Sequence, residues 1–241
     1  MKAILLAAGR GSRLGSLTDD RPKALVELNG VPLVRRTMDT LRAGGITQVG
    51  VVAGYKSQML ARYADRMFIN PAWDSTGICQ SLSCASEWLE AEPCLISYGD
   101  IFYSPRLVSD LIKSTEDVDL AYDPNAVALW KQRFENPLDD MERFSIAGEK
   151  ISAIGGKANT MQEIEGQYMG LFRLTPKSWR LLVETRNRLP EERRTNVDMT
   201  SLFSSLIQAG TKVGGTPTSD PWGEIDCPSD VKLYERLYPT I

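Results

Sequence analysis

Histidine is missing from all 241 residues, and its absence removes the commonest general base and the commonest metal ligand at once. Ser-His and Cys-His mechanisms are excluded, so catalysis has to rest on carboxylates, lysine, arginine, backbone amides or a metal held by oxygen. Cysteine is scarce: Cys79, Cys84, Cys94 and Cys227 form no C-x-x-C pair. That spacing speaks against zinc or a redox motif and for buried, reduced thiols. No excess of charge exists either, with 28 Lys and Arg against 31 Asp and Glu and a formal net charge of -3. Without a Lys/Arg-rich block there is no surface for a nucleic-acid backbone. Long apolar runs are also lacking. The opening segment from Met1 to Ala8 is apolar apart from Lys2 but breaks at Gly9-Arg10-Gly11, short of a signal h-region or a membrane span. A cytoplasmic protein with neither nucleic acid nor membrane as partner is expected, and its oligomeric state stays open.

What is present is an ordinary globular composition, 42% hydrophobic and 24% charged, in which short apolar runs alternate with amphipathic stretches. Ala3 to Ala8, Gln48 to Ala53, Met67 to Ile69, Cys94 to Tyr98 and Val118 to Tyr122 read as strands. Between them Val31 to Arg42, Ser57 to Tyr63, Ile78 to Leu89 and Pro105 to Ser114 read as helices. Such alternation predicts an α/β fold: a doubly wound, mostly parallel central sheet covered on both faces. From Asp123 to about Lys157 the alternation weakens, and Arg143 to Ala147 and Lys150 to Ile154 flank Gly148 as a hairpin does. This stretch is expected to be an insertion or lid in a single domain covering 1–241. Beyond it, Gln167 to Leu174 and Trp222 to Ile225 read as strands, and Pro176 to Arg188, Val197 to Ala209 and Ser229 to Leu237 as helices.

Chemistry becomes specific in the loop after the first strand, Leu5-Leu6-Ala7-Ala8-Gly9-Arg10-Gly11-Ser12-Arg13-Leu14-Gly15. Glycine turns let backbone N–H groups approach phosphate oxygens closely. The spacing is neither GxxxxGK[ST] nor GxGxxG, because the third glycine falls at position 15. Arg13 inside the turn, and Arg21-Pro22-Lys23-Ala24-Leu25-Val26 shortly after it, bring fixed cations towards the same place. Ser97-Tyr98-Gly99-Asp100 ends an apolar run with a carboxylate at the strand's C-terminal tip, where open α/β sheets place their ligands.

Leu-Ala-Ala-Gly-x-Gly-Ser-Arg-Leu followed by Asp20-Arg21-Pro22-Lys23-Ala24-Leu25-Val26 resembles the signature of the nucleoside-diphospho-sugar and CTP:phosphocholine nucleotidyltransferases. The resemblance implies a nucleotide-binding α/β fold, Mg²⁺ dependence and transfer of a nucleoside monophosphate to a phosphorylated acceptor with release of pyrophosphate. It implies Arg13 and Lys23 as catalytic residues on the triphosphate, and Leu6, Ala7, Ala8, Gly9, Gly11, Ser12 and Tyr98 around the nucleotide. Asp100 and Asp226 would hold the metal, the latter within Trp222-Gly223-Glu224-Ile225-Asp226, which resembles the cytidylyltransferase ending and favours CTP. Where several relatives carry Asn this chain reads Thr76-Gly77-Ile78-Cys79-Gln80-Ser81, with Gln80 and Ser81 as substitutes.

The stretches around Arg133 and from Glu163 to Leu171 resemble a bacterial branch that activates small phosphates or phosphonates. Phosphoglutamine for capsular polysaccharide and aminoethylphosphonate are examples, beside phosphocholine. Acceptor contacts are expected from Arg133, Glu163, Glu165, Tyr168 and Trp222, with Arg143, Trp73 and Trp130 as further options. Blander roles stand beside these: Asp100 as a turn cap, Asp226 as an N-cap for the helix near Pro228, the arginines in surface pairs and the tryptophans in packing. A UTP- or dTTP-dependent sugar-1-phosphate transferase, and a nucleotide-binding regulatory subunit without turnover, are the alternatives. Phosphoryl-type transfer suits a chain without histidine, because an ionised phosphate oxygen attacks without losing a proton.

Overall fold

In the computed structural model, which describes residues 1–241, strand β1 (Lys2–Ala7) runs through the middle of the molecule. Its side chains alternate between two cores. Ala3, Leu5 and Ala7 enter one and Ile4 and Leu6 the other, which is why the run is apolar throughout rather than at every second position. Eight further strands complete the sheet: β2 (Gln48–Ala53), β3 (Arg66–Ile69), β4 (Cys94–Tyr98), β5 (Val118–Asp123), β6 (Glu142–Ala147), β7 (Lys150–Lys157), β8 (Gln167–Leu174) and β9 (Gly214–Pro217). Their order is β3-β2-β1-β4-β8-β5-β9-β7-β6. Following the pairings outward from β1, seven of the nine strands point one way, and only β8 and β7 run against them.

Helices cover both faces. α1 (Leu33–Ala43), α4 (Pro105–Lys113), α5 (Ala126–Arg133) and α9 (Pro228–Leu237) bury Leu33, Leu107, Trp130 and Tyr234 in the first core. α2 (Ile78–Ser83), α3 (Ser86–Ala91), α6 (Pro176–Asn187) and α8 (Met199–Gln208) bury Leu82, Leu89, Trp179 and Phe203 in the second. A single turn, α7 (Glu191–Arg194), precedes α8. No helix is long and apolar enough to cross a membrane.

Several elements differ from the sequence reading for identifiable reasons. Ser57 to Tyr63 forms two 3₁₀ turns, Ser57–Met59 and Ala61–Tyr63, and no α-helix. The expected 78–89 helix breaks after Ser83. There Ser83 Oγ donates to the Cys79 carbonyl at 2.9 Å and Ser86 Oγ to the Ser83 carbonyl at 2.6 Å, the kind of back-bonding that competes with a helix. Strand β9, Gly-Gly-Thr-Pro, carries no apolar period yet pairs with β5 and β7 inside the sheet. The 222–225 strand shrinks to Gly223–Glu224, paired with Ile101–Phe102 in a separate ribbon. Within 123–157 the hairpin forms around Gly148, whose φ of 65° suits glycine. It continues the main sheet through the Lys150 and Gly214 pairing, and α5 precedes it.

Candidate active site

The paired tips of β1 and β4, where Leu6 lies opposite Tyr98, open into a cleft of about 220 Å³. It is lined by Leu6, Ala7, Ala8 and Gly9 of the β1 tip and loop, by Tyr98, Gly99 and Asp100 after β4, by Trp73, Thr76, Gly77, Ile78 and Ser81, and by Lys23 and Ala24. Two glycines make this shape sterically possible. A Cβ on Gly99 would sit 2.7 Å from the Leu6 carbonyl oxygen, and one on Gly11, whose φ is +78°, would sit 2.8 Å from Lys23 Cβ. The bare Gly11 therefore lets the Lys23 side chain cross the loop. The single Thr18 Oγ1 proton is shared between the carbonyls of Gly11 at 3.0 Å and Gly15 at 3.2 Å, fixing the loop.

Lys23 lies in a 3₁₀ turn, Lys23–Leu25, that follows Pro22. Its Nζ donates to Asp100 Oδ2 at 2.6 Å and also to Asp226 Oδ1. Arg13 Nη2 reaches the same Asp226 oxygen at 3.1 Å from an exposed position. The two aspartates lie far apart in sequence and are joined by the small ribbon, in which Ile225 N–H donates to the Asp100 carbonyl at 2.9 Å. Glu224 completes the group: carboxylate oxygens of Asp100, Glu224 and Asp226 all fall within 4.8 Å of one another. Asp100 Oδ1 is buried with no hydrogen-bond partner. An all-oxygen set with one orphaned donor atom fits a hard divalent cation.

Electrostatics follow from this crowding. Burial alone lowers the Lys23 pKa, but Asp100 and Asp226 outweigh it and hold the ammonium charged well above the usual lysine range. Glu224 moves the other way. Burial, and then the charges of Asp100 and Asp226, push it up to about 8 against the pull of Arg133 and Lys23.

Asp226 is not the cap of the last helix. The N-cap position is Cys227, and Asp230, at the third position of the helix, closes a capping box: its Oδ2 accepts the N–H groups of Asp226 and Cys227 at 2.8 and 3.0 Å. The Asp226 carboxylate is thereby left to Lys23 and Arg13.

Other expected site residues are placed elsewhere. Gln80 turns away and its Oε1 accepts from Arg186 at 2.7 Å, while Ser81 lines the cleft and its Oγ accepts from Asn70 Nδ2 at 3.0 Å. Ser12 is exposed at the start of a 3₁₀ segment, Ser12–Thr18, outside the cleft lining.

Arg133 is buried and engaged within the protein. Its side chain is 1% exposed, is bonded to Asp230 at 3.0 and 3.2 Å, lies 3.6 Å from Glu224 and stacks over Trp130. Trp222 is buried, donates from Nε1 to Asp123 at 2.8 Å and leans on Trp130, so it packs rather than lines. Glu163 accepts the Asn159 N–H at 2.9 Å, with Arg143 Nε 3.9 Å away, and Glu165 accepts the Ile146 N–H at 2.7 Å. Tyr168 stands edge-on to Tyr98, ring centres 6.0 Å apart, and its hydroxyl is buried without a partner.

Glu224, Thr76, Gly77, Ile78 and the buried Asn70 were not singled out as site residues from sequence. Glu224 had a signal there, standing two residues before Asp226, and Thr76, Gly77 and Ile78 fall in the stretch read for Gln80 and Ser81.

A glycine-rich strand tip, a buried lysine and converging carboxylates at one cleft define a nucleotidyltransferase of the α/β class. Residues 3–159 match the MobA-like NTP transferase domain, and the chain belongs to that family. It is 34% identical to the CTP:phosphoglutamine cytidylyltransferase of Campylobacter jejuni over 97% of this chain and 98% of that one. It is 32% identical to the choline-phosphate cytidylyltransferase of Streptococcus pneumoniae over 48% of this chain and 52% of the other. Among solved structures, the inositol-1-phosphate CTP transferase of T. maritima superposes with a TM-score of 0.76 at 21% identity, over 97% of this chain and 93% of that one. The CTP:phosphocholine cytidylyltransferase of Streptococcus pneumoniae superposes at 0.74 with 20% identity, over 98% of both.

Proposed function

We propose that this enzyme transfers CMP from CTP to a small phosphorylated or phosphonate acceptor, releasing pyrophosphate with Mg²⁺ bound, and that phosphoglutamine is the first acceptor to test. The observation that carries the reading is the charged Lys23, which lines the strand-tip cleft and is held between Asp100 and Asp226. End-to-end similarity to the Campylobacter jejuni enzyme supports the choice of nucleotide and acceptor.

An acceptor oxygen that is already ionised attacks the α-phosphorus. One O–P bond forms, the bond to the β-phosphate oxygen breaks, and pyrophosphate leaves with its electron pair. No group has to remove a proton, which agrees with a chain that has no histidine. The difficulty is the approach of two anions. Lys23 and Arg13 offset that charge from fixed positions, and the glycine loop aligns the triphosphate through backbone N–H groups. Asp100, Asp226 and Glu224 would hold Mg²⁺, which supplies further charge neutralisation when bound.

The test is pyrophosphate release with CTP, UTP, dTTP, ATP and GTP against phosphoglutamine, phosphocholine, aminoethylphosphonate and glucose 1-phosphate. Turnover with CTP and phosphoglutamine is expected, and its loss in Asp100→Asn. Turnover with UTP or dTTP and the sugar phosphate alone overturns the reading.

A further inference from the structure

Helix α2 contacts two different surroundings. Ile78 and Ser81, three residues apart, line the cleft, whereas Gln80 and Ser83, also three apart, meet Arg186 of α6. Arg186 donates from Nη2 to Gln80 Oε1 at 2.7 Å, from Nη1 to Ser83 Oγ at 3.3 Å and from Nε to the Arg194 carbonyl at 3.0 Å. The next carbonyl, that of Thr195, accepts the Gly77 N–H at 3.0 Å. Asn196 packs so closely there that a Cβ on Gly77 would lie 3.1 Å from its Cα. One wall of the cleft is thus braced from behind by a segment about a hundred residues later in the chain.

All three acceptors of Arg186 are uncharged, and none is a carboxylate that would explain the arginine as an ion pair. The planar guanidinium, with donors in fixed directions, spans two elements at once; a lysine ammonium would reach one of them.

We propose that Arg186 is a positioning residue for nucleotide binding. It fixes α2 against the 194–196 turn and so sets where Gly77, Ile78 and Ser81 stand in the cleft. The proposal rests on the reading of this cleft as the CTP site. Because Arg186 bonds to neither Lys23 nor the carboxylates, its effect falls on binding and spares the chemical step.

The test measures KM and kcat for CTP and the calorimetric Kd of the full chain in Arg186→Met, Arg186→Lys and Gln80→Leu. Arg186→Met is expected to raise KM and Kd about tenfold, the scale of losing charge-assisted hydrogen bonds, with kcat within about twofold. Arg186→Lys recovers part of the loss, and Gln80→Leu, which cuts one arm, costs about threefold. The double variant Arg186→Met/Gln80→Leu is no worse than Arg186→Met, since both remove the same bond. Unchanged KM in Arg186→Met, or a fall in kcat as large as that in kcat/KM, overturns the proposal. Should Arg186→Met fail to fold, unchanged KM in Gln80→Leu overturns it instead. A wild-type chain that binds no CTP overturns the cleft reading and this proposal together, whereas wild-type binding with unaltered variants overturns this proposal alone.

Discussion

Replacing Lys23 by methionine keeps the bulk of the side chain and deletes the one cation lying between Asp100 and Asp226. The Lys23, Asp100 and Asp226 side chains are 15%, 19% and 11% exposed, so water screens the group poorly. Removing one member of a buried ion pair costs about 3–5 kcal/mol, because the carboxylates left behind are unpaired. Arg13 retains its contact to Asp226, but at 73% exposure it offsets little. For a chain of this length the cost corresponds to a fall in Tm of roughly 6–20 °C. A divalent cation held by the same carboxylates would return much of that stability, since it binds the folded state only. The assay is thermal unfolding of both proteins in EDTA and in millimolar Mg²⁺. The variant should melt well below wild type in EDTA, gain more than wild type from Mg²⁺, and lose about 10²–10³ in kcat. Equal melting in EDTA with equal gains from Mg²⁺ would refute the idea that Lys23 and the cation share one electrostatic site.

Three further outcomes follow from the same geometry. With Glu224 raised to about 8 in the metal-free protein, Mg²⁺ affinity should climb with pH and level off above about 8, with a proton released on binding near neutrality. The same sign means that the metal-free fold loses the Glu224 contribution as pH rises from its ordinary 4.5 through 8. Titration calorimetry in two buffers checks the first statement, and a flat affinity from pH 6 to 8.5 would refute it. Gly11→Ala should displace Lys23, because its new Cβ falls 2.8 Å from Lys23 Cβ and the backbone is left-handed there. That strain amounts to about 1–2 kcal/mol, and kcat should drop more than stability; unaltered kcat speaks against the crossing of loop and lysine. Trp222→Phe should cost about 1–3 kcal/mol by leaving Asp123 short of a donor, with the acceptor KM unchanged. A raised acceptor KM at wild-type stability would return Trp222 to the substrate.

The α/β class, the positions of most strands and the presence of the glycine loop, Lys23 and Asp100 were legible because each depends on neighbours in sequence. A glycine turn after an apolar strand exposes amides wherever it occurs, and a carboxylate one residue beyond Gly99 stands at a strand tip by the geometry of parallel sheets. Partner choice has no such local signature. That Arg133 is held by Asp230, that Gln80 serves Arg186 and that Asp226 meets Lys23 and Asp100 were decided when distant segments packed together. The same holds for β9, whose Gly-Gly-Thr-Pro residues have no strand character until β5 and β7 supply backbone partners on both sides. Local chemistry therefore announced which groups this protein owns. Tertiary packing determined which of them remain free to meet a substrate, because a buried polar group must be satisfied by whatever the fold brings within reach.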